Sequence, residues 1–165
     1  MFRLRSIPQL SLDIAREHVA KINRWDHEVT WTQSGGRIHR WDGQRSMKAA
    51  MTATEFASAY VGSLTWAAVS ILLPQRAKDL DYVKLEDRLI ALGITDPSLL
   101  SGCAILRDLH RELYHGKASD QILIAQREAR RALLLAERLQ ALLVPRLIAT
   151  EALTWPSPIA DASPP

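Results

Sequence analysis

A single cysteine, Cys103, stands in a chain of 165 residues. An internal disulfide is therefore excluded, as are most cysteine-built metal sites, and the thiol suits a reducing compartment. Glycine patterns that cradle phosphates or dinucleotides are missing, and so is a nucleophile elbow; "SGGR" at 34 to 37 reads only as a turn. The first ten residues, "MFRLRSIPQL", carry positive charge but no apolar core and no small-residue cleavage site, so they do not read as a secretory signal. An excess of charge of one sign is also nearly absent. The 21 Lys and Arg against 18 Asp and Glu give a net charge of +3 and a pI near 9.3. That is a mild basic bias, compatible with nucleic acid.

What is present suits one globular domain. The length allows a real core, and 47% hydrophobic with 24% charged residues is an ordinary balance. One run, "FASAYVGSLTWAAVSILLP" at 56 to 74, has no charge and roughly the length of a membrane span. Its three serines, threonine, glycine and tyrosine dilute its apolar density, and it is the only such run. It reads as the central helix of an all-α domain, apolar nearly all round because it is packed on all sides. Thr52 and Glu55 have capping-box spacing, Met51 and Phe56 occupy staple positions, and Pro74 ends the run. These signals predict a helix over 52 to 73.

Four more helices follow from periodicity. Ser11 is placed to cap a helix with the stripe Leu12, Ala15, Val19, Ile22 and Trp25; His18 lies on its flank. A helix over 79 to 92 would turn Tyr82, Leu85, Leu89 and Leu92 inward and stop at Gly93. Asp96 and Pro97 start the next as cap and first helical residue. Ser119 starts the last, with the seam Ile122, Ala125, Ala129, Ala132, Ala136, Leu139 and Leu143, which suits close antiparallel packing until Pro145 stops or kinks it. The expected fold is an all-α antiparallel bundle of about five helices.

Between the first two long helices, "VTWTQ" and "RIHRW" flank "SGG" and suggest a short β-hairpin or ordered loop. Trp25, Trp31 and Trp41 there are expected to close the loop onto the core, although Arg beside Trp is also how single strands are stacked. His27 and His39 with Asp26 and Asp42 match no ligand spacing, so no metal site is expected.

The stretch "ILRDLHRELYHGKAS" at 105 to 119 gathers most of the chemistry-bearing side chains. Leu106, Leu109 and Leu113 define its buried side, and Arg107, Arg111 and His115 recur every fourth residue on a stripe mostly turned away. His115 falls in the last turn before Gly116, where a protonated imidazole is favoured by the helix dipole. On spacing alone, this is a solvated face with a favourable end charge.

The pattern "KLEDRLIALG…LRDLHRELYHGK…ARRALLLAERLQALL" resembles the HEPN superfamily of small bacterial helical domains. The likeness covers roughly residues 52 to 144. It implies a HEPN-like core at 49 to 154, preceded by a helix and Trp-rich extension at 1 to 48 and followed by a Pro-rich tail at 155 to 165. Active members of that family are metal-independent ribonucleases that work as homodimers, with an arginine and a histidine of each protomer meeting across the interface. The histidine acts as acid or base toward the ribose 2′-OH, and the arginine steadies phosphate charge. Here His115 matches the histidine, directly before "GK". The usual arginine position holds His110, and Arg111 follows it. The resemblance thus implies Arg111 and His115 as the reactive pair, with Arg107, His110, Tyr114 and Lys117 contacting RNA. It also implies a cytoplasmic homodimer without a cofactor, in a toxin or defence setting, with a cognate antitoxin or regulatory protein as a further partner. The same fold kept as a non-enzymatic dimerisation or regulatory module is the alternative.

Overall fold

A computed structural model describes residues 7–26, 30–31, 37–38, 43–115 and 126–150. Its order is α1 (Ile7–Asp26), β1 (Thr30–Trp31), β2 (Arg37–Ile38), α2 (Gly43–Leu72), a short 3₁₀ turn (Pro74–Arg76), α3 (Leu85–Ala91), α4 (Pro97–His115) and α5 (Gln126–Ala149). The described residues form an all-α bundle of five helices. The two strands pair antiparallel over two residues each, Thr30 with Ile38 and Trp31 with Arg37. The side chains of Trp25, Trp31, Trp41, His27 and His39 lie outside the described residues.

Of the apolar stripe that the spacing predicts for α1, Leu12, Ala15, Val19 and Ile22 are buried, and Trp25 is the member whose side chain lies outside the described residues. Its start differs. The helix begins at Ile7, with Pro8 in the first turn where a missing N–H costs nothing, and Ser11 is buried in the helix body rather than capping it.

Helix α2 also starts early, at Gly43 rather than Thr52. The stretch "SMKAAM" is rich in strong helix formers, and Ser46, Ala49 and Ala50 gain burial by continuing it. Thr52 consequently makes no capping box; its hydroxyl donates to the Lys48 carbonyl at 2.9 Å, one turn back. The other end is as expected, with the helix closing just before Pro74. Ala53, Ala57, Tyr60, Val61, Leu64, Ala68 and Val69 form much of the core, while Glu55, Ala59 and Ser63 leave a narrow exposed stripe. No helix among the described residues is long and apolar enough to cross a membrane.

Direction is fixed by polar contacts. Arg16 meets Glu137, Asn23 meets Arg130 and Gln9 meets Gln140, so α1 runs antiparallel to α5. Gln126 donates to Ser46 at 2.6 Å, which puts the N-terminal ends of α5 and α2 together. The small seam of α5 therefore packs against α2 in parallel, not antiparallel as its spacing suggests. Ala129 joins Ala49, Ala50 and Ala53 in one apolar cluster, and Leu139, Leu143 and Leu147 join Leu64, Ala68 and Val69 in another. Pro145 does not stop α5, which continues to Ala149 and buries Leu147. The positions of Ile122, Ala125 and the Ser119 cap lie outside the described residues.

Helix α3 is half the predicted length. Residues 79 to 84 lie outside the helix as a turn, a bend and the extended Lys84, and Tyr82 is 96% exposed rather than inward-facing. Arg88 explains the shape: it stacks 5.6 Å over Trp66 of α2 and donates to the carbonyls of Leu80 and Asp81, which fold that segment back on the helix. Gly93 then closes α3 as expected. Its φ of +77° lets its N–H reach the Ile90 carbonyl and the Ile94 N–H reach that of Leu89.

Candidate functional site

Asp96 and Pro97 position α4. The Asp96 carboxylate accepts the Ser98 N–H at 2.8 Å, and its carbonyl accepts those of Leu99 and Leu100. Hydrogen bonds from the Ser98 side chain and backbone hold the Asp96 carboxyl below its ordinary pKa. Arg138 of α5 bonds both Asp96 and Ser98 at 3.1 Å, anchoring the start of α4 to α5. Leu99, Cys103 and Leu106 then point into the core, and Leu109 is half-buried.

The charged residues of α4 divide. Arg107 is ion-paired with Glu86 of α3 and with neighbouring Asp108. Arg111, one turn later, is 70% exposed and 3.8 Å from Asp108. His110 is half-buried between them. Tyr114 and His115 belong to the last turn of α4, but their side chains lie outside the described residues, as does Lys117 altogether. What the helix settles is that positions 107, 111 and 115 follow at one-turn steps on a continuous backbone.

Cys103 is fully buried. Burial, aided by the Glu86 charge, pushes its thiol up to about 12. Among the described residues no group of three His, Cys, Asp or Glu side chains is arranged to hold a metal ion.

A second feature borders the same helix. A groove of about 380 Å³ runs between α4 and α5, with Leu106 and Leu135 in its floor and Ile105 and Leu134 at its lips. Ile105 is 49% and Leu134 58% exposed. Gly102 lets α5 approach here, since a Cβ at that position would come within 3.1 Å of a Leu135 methyl. Sequence reading missed the groove, yet it left a signal. Three leucines in a row at 133 to 135 span more than one helix face, so one of them must leave the seam.

No family model, curated protein or solved structure matched the chain when compared with it.

Proposed function

We propose that this chain is a HEPN-like RNA-directed domain acting as a homodimer, with the C-terminal half of α4 facing the RNA. The observation that carries it is the exposed Arg111 guanidinium, one helical turn before His115 and, among the described residues, 3.8 Å from Asp108. In this reading His115 exchanges a proton with the ribose 2′-OH and Arg111 steadies charge on the phosphate, as such chemistry requires of a base and a cation without a metal. A two-fold axis that brings the C-terminal ends of two α4 helices together would supply one of each from both copies.

The Arg107–Glu86 pair favours a second reading. It neutralises one of the two arginines on α4, leaving less cationic surface for an RNA backbone, as in a binding or dimerisation module without cleavage. One assay separates the two. Labelled single-stranded RNA is incubated with wild type, His115→Ala and Arg111→Ala in EDTA. Catalysis requires cleavage that His115→Ala lowers by about 10²- to 10⁴-fold with affinity nearly unchanged. Equal background cleavage in all three leaves the module.

A further inference from the structure

We propose that the groove between α4 and α5 is the docking site for an acidic amphipathic helix of a partner protein. This rests on the shape and charge of the groove, independently of the RNA reading.

Shape selects a helix. The lining runs along α4 from Ser98 to Leu109, a rise of eleven residues or about 16 Å, which is three turns of a straight rod. A helix laid along such a trough with apolar residues at one-turn steps would cover the exposed Ile105 and Leu134 lips together with the Leu106 and Leu135 floor. The apolar floor disfavours a nucleic-acid backbone, whose phosphates would lose water there without replacement.

Charge selects acid. Arg131 and Arg138 line the α5 side seven residues apart, about 10 Å or two turns. Arg138 is already bonded to Asp96 at 3.1 Å, but Arg131 is 61% exposed and, among the described residues, its nearest carboxylate contact is Glu128 at 4.0 Å. Glu128 is itself 17% exposed and also holds Arg127. Glu128 also lines the groove and Asp96 is 44% exposed beside Arg138, so the cationic part of the accessible edge is Arg131. A second copy placed two-fold on this face would bring Leu134 to Leu134 but the same arginines to each other. A partner helix with a carboxylate beside its apolar stripe meets Arg131 and the trough at once, and a second carboxylate seven residues on lies beside Arg138.

The test uses the full chain and two fluorescein-labelled helical peptides of about 16 residues, with the same leucine stripe. One has glutamates flanking the stripe seven residues apart; the other has lysines there. Anisotropy should give saturable binding of the glutamate peptide, about tenfold or more tighter than the lysine peptide at low salt. Arg131→Glu should reverse that preference, and Leu134→Ser should weaken both peptides; both residues are exposed, and circular dichroism confirms that each variant is folded. Four results overturn the proposal. The first is no saturation below roughly 1 mM. The second is equal binding of the two peptides. The third is self-association that Leu134→Ser abolishes, which would put a second copy in the groove. The fourth is displacement of the peptide by single-stranded RNA whose own binding needs Leu134. RNA binding through Arg111 is scored on a separate variant, so either idea can fail alone.

Discussion

Arg107 of α4 and Glu86 of α3 form an ion pair in which the acid is the more deeply placed partner, 17% exposed against 35%. One Glu86 carboxylate oxygen accepts from the Arg107 guanidinium, and the other is buried without a hydrogen-bond partner. Removing the arginine leaves a largely enclosed carboxylate uncompensated. Arg107→Ala should therefore lower the melting temperature, while Arg107→Ala with Glu86→Leu should recover part of the loss. Thermal unfolding of both single variants and the double variant measures the coupling; strictly additive losses would mean that the pair does not act as a unit.

Gly93 offers a cleaner test of backbone cause. Its φ is +77°, yet a Cβ built there meets nothing within 4 Å. The cost of Gly93→Ala is then conformational strain alone, about 1 kcal/mol, with Gly93→Asn closer to wild type. Urea denaturation should show the two substitutions in that order. A loss of several kcal/mol would point instead to a steric role.

His18 gives the fold a pH dependence. Burial holds the imidazole below its ordinary pKa, the Lys21 charge adds to this and Glu17 opposes it. The Nδ1 atom is buried without a hydrogen-bond partner. Since the folded pKa is depressed, the unfolded chain takes up the proton first as pH falls. Stability is therefore present above the unfolded value of 6.5 and declines as pH drops from there through the folded value. The urea midpoint should fall between about pH 7 and 5.5 in wild type and fall less in His18→Gln. Identical pH profiles would remove His18 as the cause.

Cys103 should be inert while the chain is folded. Its side chain is fully buried, and its pKa of about 12 leaves almost no thiolate near neutrality. Iodoacetamide at about pH 8 should label it only after urea is added, when the thiol regains an ordinary pKa. Labelling of the native protein at the rate of a free thiol would contradict the packing of α4.

The parts of the fold legible in the sequence were those set by a local rule. The stripe of α1, the glycine stop of α3 and the Asp96–Pro97 start of α4 each follow from a few adjacent residues. Tertiary contacts decided the rest. Thr52 sat at capping spacing, but burying Ala49 and Ala50 drew α2 back to Gly43. Leu80 is buried while Tyr82 is exposed because Arg88 binds backbone carbonyls that no side-chain periodicity encodes. The α5 seam marked a close-packed face but not the direction of its partner. At the candidate site, the stripe on α4 was readable, whereas the capture of Arg107 by Glu86, 21 residues away, was not.

The RNA-directed reading of α4 is tested most directly by the affinity of a fluorescent single-stranded RNA for wild type, Arg111→Ala and Arg107→Ala. Anisotropy titration in EDTA should show wild-type binding that weakens as salt rises. Arg111→Ala should lose at least about tenfold in affinity, the effect of removing an exposed phosphate-contacting cation from each protomer. Arg107→Ala should lose far less, because its guanidinium is already committed to Glu86 and Asp108. No measurable binding by wild type, or equal losses in the two variants, would contradict the assignment of Arg111 to the RNA.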